Sequence, residues 1–173
     1  MPERILVTYA SRTGTTAGVA EAVGATLRAG GAQVDVLPVA AVQDLTSFDA
    51  VVVGSAIQSK QWLPEAMQFV QTNRDALRRK PFAAFLVCMT LAMKKGDYLS
   101  EVGNWLQPVR ALAPTVSEGL FAGGLDISKV PTWRDRMTFR VSVAMGVWSE
   151  GDHRDWDAIR AWAESLGPLL VTQ

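Results

Sequence analysis

A cluster of hydroxyl-bearing residues near the start of the chain has the composition of an anion-binding turn. It consists of Ser11, Arg12, Thr13, Gly14, Thr15 and Thr16. This 11–16 turn follows an apolar run at 5–10 and precedes a pattern with helical spacing. Gly14 lets the backbone bend close to a ligand, and the unpaired N–H groups of the first helical turn point to the same place. Such a cup suits a phosphate dianion.

Two familiar nucleotide motifs are absent from this turn. The sequence has no G-x-x-x-x-G-K-S/T loop, which excludes that class of nucleoside triphosphatase, and no G-x-G-x-x-G dinucleotide fingerprint. What remains is Ser/Thr-x-Thr-Gly-x-Thr directly after an N-terminal strand. This pattern resembles the phosphate-binding loop of flavodoxins, whose ligand is flavin mononucleotide (FMN). The alternative interpretation is an ordinary polar turn that caps the helix.

The composition describes a globular chain with few groups for acid–base or metal chemistry. Of its 173 residues 49% are hydrophobic, and 17 basic side chains balance 17 acidic ones, so we expect no nucleic-acid partner. Cys88 and His153 are the single cysteine and histidine, which excludes an intrachain disulfide and a paired-thiolate zinc site. Cys88 is expected to be a small buried hydrophobe. With one cysteine and one histidine we expect no metal site. No signal segment or membrane-spanning stretch is evident, which predicts a cytoplasmic protein.

Strand and helix patterns alternate along the chain. Strands are predicted at about 5–10, 33–37, 50–54, 82–88 and 115–121, and helices at about 14–28, 64–77, 98–109 and 156–170. Pro108 is expected to kink or shorten the third of these helices. The crossover at 38–48 has spacing for a short helix at most.

This alternation predicts an α/β fold, a parallel sheet with helices on both faces. Five strands with the 11–16 turn after the first fit a flavodoxin-like doubly wound five-stranded parallel sheet of order 2-1-3-4-5. We expect 1–173 to form a single domain with an extra segment at about 122–155. Ligands bind beyond the carboxyl ends of such strands, so the ends of strands 3, 4 and 5 should meet the 11–16 turn.

The loops after the third and fourth strands have residues that suit a flat aromatic ligand. Backbone amides and Gln58 suit the polar edge of an isoalloxazine ring, while Trp62 either covers the ring face or packs against the following helix. The small, apolar and flexible residues of the loop at 89–97 suit the other side of the ring. Lys94 and Lys95 are expected to be solvated.

The segment between the fifth strand and the last helix is longer than most loops of compact domains. Trp133, Met137, Val141 and Met145 fall four apart, as on one side of a helix, whereas 139–143 alternates as a strand would. We favour a helix with Pro131 in its first turn. Three roles fit it: a lid over an apolar substrate, a basic amphipathic face on anionic lipid, or a cover for the sheet.

Three stretches, 5–16, 51–69 and 123–156, together resemble the menaquinone-dependent protoporphyrinogen oxidases of the flavodoxin type. They include the 11–16 turn, the turn that begins at Gly54-Ser55, and a Trp-x-x-Arg-Met segment after Gly123-Gly124. The resemblance implies FMN as cofactor, with its phosphate held by residues 11–16. It implies ring contacts from Ala56, Ile57, Gln58, Trp62, Met89, Thr90, Leu91 and Gly123. The loop after the fourth strand is shorter and less basic than the insertion expected of those oxidases.

Three functions compete on this basis. The first is an FMN-dependent oxidoreductase that passes electrons from a reduced organic substrate, such as a porphyrinogen, to a quinone or similar acceptor. Because the flavin carries the redox chemistry, we assign no catalytic side chain. The alternatives are a flavodoxin-type electron-transfer carrier and a non-redox module of the same fold. The expected partners are a small-molecule donor and acceptor, with peripheral contact to the inner face of the membrane through about 133–148 and a homodimer as further options.

Overall fold

The computed structural model describes residues 3–93 and 96–171. The strands are β1 (Arg4–Ala10), β2 (Gln33–Pro38), β3 (Ala50–Gln58), β4 (Gln61–Trp62), β5 (Phe82–Cys88), β6 (Ser117–Ala122), β7 (Gly124–Leu125) and β8 (Gly151–Asp152). The α-helices are α1 (Thr15–Ala29), α2 (Pro64–Thr72), α3 (Arg74–Arg78), α4 (Leu99–Asn104), α5 (Gln107–Leu112), α6 (Trp133–Ala144) and α7 (Trp156–Leu166).

The long strands form one parallel sheet. Its order is β2-β1-β3-β5-β6, and each neighbouring pair on this path is parallel. The two residues of β4 fold back antiparallel onto the end of β3. Counting the parallel strands alone, the order is 2-1-3-4-5, which confirms the predicted fold.

Apolar runs in the central strands explain why helices cover both faces of the sheet. Successive residues of a strand point to opposite faces; in β1, Leu6 packs into one core while Ile5 and Val7 pack into the other. Helices α1 and α7 cover the face of Ile5 and Val7. Helices α2, α4 and α5 cover the opposite face. The sheet therefore lies between two helical layers, with the strand ends free at its edges.

The sequence prediction differs from the structure in some details and agrees in others. The predicted helix at 64–77 is divided into α2 and α3. The predicted third helix is divided in two, because Pro108 lies in the first turn of α5, where a missing N–H is tolerated. The crossover after β2 has only the 3₁₀ turn Val39–Ala41 among its described helical residues, in line with its spacing. β3 continues beyond its predicted end at 54 as far as Gln58, where it turns back into β4.

The ambiguous segment is helical, and α6 confirms that preference over a strand. Its N-cap is Thr132, whose Oγ1 accepts a hydrogen bond from the N–H of Asp135 at 3.2 Å. Pro131 consequently lies before the helix rather than in its first turn, which corrects the predicted boundary. No residue of α6 is buried. The interpretation of α6 as a cover for the sheet is therefore wrong, because the other helices already occupy both faces.

Candidate functional site

A cavity of about 530 Å³ opens at the carboxyl edge of the sheet. Its walls come from the 11–16 turn, from the ends of β3 and β5, and from the residues after β6 as far as α6. This is the edge at which a doubly wound sheet binds its ligand, and the volume is within the range of small-molecule sites. Most of the segments that sequence analysis assigned to one site thus contribute to one cavity, while Trp62, Thr90 and Leu91 do not line it.

The 11–16 turn has an open anion cup. Gly14 adopts a left-handed φ of +86°, and its N–H donates to the Oγ of Ser11 at 3.0 Å. No side chain caps the first turn of α1, which begins at Thr15, so the interpretation of this turn as a mere helix cap is not supported. Unpaired N–H groups at a helix N-terminus favour an anion. The turn therefore retains the donors that a phosphate needs.

Thr16 contributes the observation most specific to a ligand. It lines the cavity, is 1% exposed, and its Oγ1 is buried without a hydrogen-bond partner. Buried hydroxyl groups are normally paired, because leaving one unpaired costs free energy. Nearby, the hydroxyl groups of Thr13 and Thr15 lie 3.3 Å apart. A phosphate oxygen in the cup fits the orphaned hydroxyl of Thr16, so these residues suit a phosphorylated cofactor.

The side chain of Arg12 is engaged outside the cup. Its guanidinium pairs with both carboxylate oxygens of Glu65 in α2, with Nη2 at 3.1 Å from Oε2. This hydrogen-bonded pair lowers the pKa of the Glu65 carboxyl, mainly through the bond from Arg12. Arg12 lines the cavity, but its charge is already compensated. We therefore expect Arg12 to contact an anion through its backbone rather than through its side chain.

The end of β3 supplies three of the predicted residues but not Trp62. Ala56, Ile57 and Gln58 line the cavity. Trp62 pairs with Ile57 in the short hairpin, is 3% exposed and packs in the core under α2. The placement of Trp62 over a ring face is thus corrected: the turn at 59–60 carries the chain back onto the sheet, and the indole packs instead against the following elements.

The residues after β5 are divided between two recesses. Met89 lines the cavity, whereas Thr90 and Leu91 belong to a 3₁₀ turn and line a separate recess beside Tyr98. Cys88 is buried, as expected, and burial raises the pKa of its thiol, so it is not an activated nucleophile. The expectation for Lys94 and Lys95 lies outside the described residues.

Gly123 ties the end of β6 to its neighbours at the cavity wall. Its N–H donates to the carbonyl oxygen of Cys88 at 3.1 Å, and its own carbonyl accepts from the N–H of His153 at 3.1 Å. A Cβ at this position would lie 3.3 Å from Cγ1 of Val87 and 3.6 Å from Cγ2 of Thr15. A larger residue here would crowd the side chain of Val87, whereas its distance from Thr15 is that of ordinary van der Waals contact.

Sequence analysis missed the contribution of the segment around α6 to the cavity wall. The residues concerned are Asp126, Val130, Pro131, Thr132, Asp135 and Phe139. The proposed lid role indicated that this segment lies near the site. Which of its residues line the cavity depends on the contacts that fix α6 in place. The ring of Phe139 packs on that of Trp148 with centroids 5.3 Å apart, and Arg136 Nε donates to the carbonyl of Val130 at 2.6 Å.

The assembled site has the chemistry of a nucleotide-binding pocket rather than of an acid–base or metal centre. The described residues include no cluster of histidine, cysteine or carboxylate side chains that would hold a metal ion, and none of their helices is long and apolar enough to cross a membrane. An anion cup beside apolar residues, at the switch point of a doubly wound sheet, is typical of α/β proteins that bind a phosphorylated ligand.

The family follows from comparison with known sequences. The pattern that defines the flavodoxin domain matches residues 6–155, and the chain belongs to this family. The cofactor of the protein is FMN. A comparison with curated proteins found no significant match.

Solved structures with the same fold include two flavodoxins and one larger protein. A flavodoxin from the domain Archaea is 18% identical with a TM-score of 0.56, over 95% of this chain and 96% of that one. A flavodoxin of Streptococcus pneumoniae TIGR4 is 17% identical with a TM-score of 0.56, over 95% and 98%. The Flv1 flavodiiron core of Synechocystis sp. PCC6803 is 10% identical with a TM-score of 0.58, over 97% and 35%. At these identities the likeness is one of fold.

Proposed function

We propose that this protein is a flavodoxin-type electron-transfer carrier that holds FMN in the cavity at the carboxyl edge of its sheet. The observation that carries the proposal is the buried, unpartnered hydroxyl of Thr16 beside an open anion cup. Membership of the flavodoxin domain family supports it and argues against a non-redox module. The proposal favours a carrier over an enzyme, because solved structures of the same fold that match this chain over nearly their whole length are flavodoxins.

In this proposal different residues bind the phosphate and the ring of FMN. In this proposal residues 11–16 bind the phosphate through backbone N–H groups and the hydroxyl groups of Thr13 and Thr16. The ring lies between the end of β3, at Ala56 to Gln58, and the residues that follow β5 and β6, Met89 and Gly123. Bound FMN supplies the centre that accepts and releases electrons. The protein positions it and, through apolar neighbours such as Phe139, limits access of water.

A coupled electron-transfer assay tests the carrier function. The FMN-loaded protein is mixed with an NADPH-dependent flavodoxin reductase and cytochrome c, and reduction of the cytochrome is followed by absorbance. A carrier raises the rate in proportion to its concentration, and the FMN-free protein does not. A loaded protein that gives no increase would contradict the proposal even if FMN is tightly bound.

A second candidate function is an oxidase that passes electrons from a porphyrinogen to a quinone. The observation in its favour is the wall formed by 130–139, which adds apolar surface beside the proposed ring position. A cavity of this volume suits one nucleotide-sized ligand, so a tetrapyrrole would have to react at the mouth. Turnover of protoporphyrinogen IX with menadione, measured by porphyrin fluorescence, tests this function. Turnover no faster than with free FMN would exclude it.

A further inference from the structure

Helix α6 has an apolar outer face that nothing in the described chain covers. The face consists of four large apolar side chains. Three belong to the helix, Trp133, Met137 and Val141, and are 70%, 48% and 52% exposed; the fourth, Met145, follows its last residue and is 75% exposed. They recur every four residues, so they follow one side of the helix in a continuous stripe. We define the outer face of α6 as these four residues. Large contiguous exposed apolar surfaces of this kind mark interaction sites.

The charges around the outer face have one sign. With 100° between successive helical residues, Arg134 and Arg140 flank the stripe while Asp135 lies on the opposite side. Asp135 lines the cavity, and its carboxylate accepts a hydrogen bond from Thr132 Oγ1 at 2.6 Å. The carboxylate of α6 is thus turned inward, and the outward surface of the helix combines apolar groups with two guanidinium groups.

The inner side of α6 is fixed while its outer face remains free. Phe139 packs on Trp148, Arg136 is bonded to the carbonyl of Val130, and Thr132 caps the first turn. The stripe is therefore presented by a helix already held in place, and binding through it requires little further ordering. Phe139 and Asp135 also line the cavity, so whatever covers the outer face lies beside the proposed FMN site.

We propose that the outer face of α6 docks the protein on an anionic lipid surface, with the helix parallel to the membrane plane. A basic helix with Trp and Met along one side is suited to the interface between lipid headgroups and acyl chains. A second copy of this chain fits less well, because two such faces would bring arginine side chains together. The inference rests on the proposed function and deepens it, since it names a membrane surface as the place where the FMN site meets its electron partner.

Vesicle cosedimentation of the FMN-loaded protein tests the proposal. Vesicles of phosphatidylethanolamine and phosphatidylglycerol are compared with vesicles of phosphatidylcholine alone. We expect binding to the anionic vesicles that weakens as salt is raised, because exposed charges are screened. Protein that remains in the supernatant with anionic vesicles at low salt would overturn the proposal.

Two pairs of variants identify the surface. Trp133→Ser with Met145→Ser should lower vesicle affinity by about tenfold or more, since even partial burial of one large apolar side chain is equivalent to roughly tenfold in an equilibrium constant. Its control is Leu99→Ser with Val116→Ser, two apolar residues elsewhere on the surface that are 57% and 44% exposed.

The second double variant tests the charges of the outer face. Replacing Arg134 and Arg140 by Gln should lower vesicle affinity by roughly fivefold for each arginine. Its control is Arg74→Gln with Arg160→Gln, which are about half exposed. Equal loss in a control pair would overturn the assignment.

The remaining outcomes separate this proposal from its competitor and from the proposed function. Light scattering without lipid reports the oligomeric state; a dimer that the Trp133→Ser and Met145→Ser pair dissociates, without vesicle binding, would assign the face to a second copy and overturn lipid docking. Far-UV circular dichroism confirms that each variant is folded. The visible spectrum shows whether FMN is bound. A parent protein that retains FMN but does not bind anionic vesicles refutes the docking and leaves the proposed function standing.

Discussion

Thr8 and Thr16 show how much the surroundings of a single hydroxyl group matter. Both side chains are almost fully buried, and both Oγ1 atoms lack a hydrogen-bond partner. Thr16 lines the cavity beside the anion cup, whereas Thr8 lies within β1 and does not. The same residue type therefore serves as a candidate ligand contact at one position and as a packed strand residue at the other.

This difference predicts that two isosteric substitutions have different effects on FMN affinity. Thr16→Val removes a hydrogen bond to a charged phosphate and should weaken FMN binding by about tenfold or more. Thr8→Val removes an unpaired buried hydroxyl and should leave FMN affinity unchanged. Thr13→Ala added to Thr16→Ala should weaken binding further. Fluorescence titration of FMN measures all of these, and equal effects of Thr16→Val and Thr8→Val would show that the phosphate lies elsewhere.

Arg12 is the residue of the turn for which the sequence is most misleading. A guanidinium within a phosphate-binding turn suggests a direct contact with the phosphate, but the guanidinium of Arg12 is paired with the carboxylate of Glu65. We expect Arg12→Met to change FMN affinity less than threefold, and to lower the free energy of unfolding by at most about 1 kcal/mol, because the pair is nearly half exposed. A tenfold loss of FMN affinity would instead show that the arginine leaves Glu65 for the phosphate.

Among the elements, the hairpin of β3 and β4 decides between the two positions that sequence analysis left open for Trp62. Its two-residue turn has Ser59 and Lys60 at φ of +53° and +61°. Such turns are usually recognised by Asn-Gly or Asp-Gly, and neither is present here. Without that signal, sequence analysis had no reason to expect the chain to reverse, so it left Trp62 undecided between ring and core.

The same turn gives a stability prediction. Left-handed backbone costs an ordinary residue about 1–2 kcal/mol, so Lys60→Gly should raise the free energy of unfolding by about 1 kcal/mol. Lys60→Ala retains the strain and removes the exposed pair with Glu101, and is the control; it should change stability by only a few tenths of a kcal/mol. Urea denaturation of the FMN-free protein measures both. No gain from glycine would mean that the turn is not strained.

At the scale of the whole molecule, one ion pair joins a helix of the outer layer to the edge of the sheet. Arg110 in α5 donates from Nε and Nη2 to the two oxygens of Glu118 in β6, at 2.6 and 2.5 Å. This lowers the pKa of Glu118 below its ordinary value of 4.5, chiefly through the hydrogen bond from Arg110. The pair is partly buried, with side-chain exposures of 34% and 21%.

The lowered pKa of Glu118 determines the direction in which the stability of the fold changes with pH. A carboxyl with a depressed folded-state pKa stabilises the fold above its unfolded value, and that contribution is lost as the pH falls through the folded pKa. At neutral pH Glu118→Gln should therefore be less stable than the parent by about 1 kcal/mol. The difference should shrink as the pH falls below about 4.5. A difference that is constant with pH would contradict this assignment.

The features that could be predicted from the sequence are those whose signals lie in neighbouring residues of the chain. The sheet order and the 11–16 turn depend on periodicity and on a glycine next to hydroxyl groups, which are readable along the chain. The wall at 130–139 depends on tertiary contacts of its segment, such as Phe139 with Trp148 and Ile127 with Glu150, and no local pattern encodes them. The stripe from Trp133 to Met145 was visible in the sequence, but its exposure was not, because that depends on which helices cover the sheet.

The most direct test of the account is the visible absorption spectrum of the purified protein after excess FMN is added and then removed. The account predicts a flavin spectrum retained at one FMN per chain, and loss of most of it under the same washing in Thr16→Val. A colourless protein would contradict the central claim, because neither the proposed electron transfer nor the second candidate reaction proceeds without the cofactor.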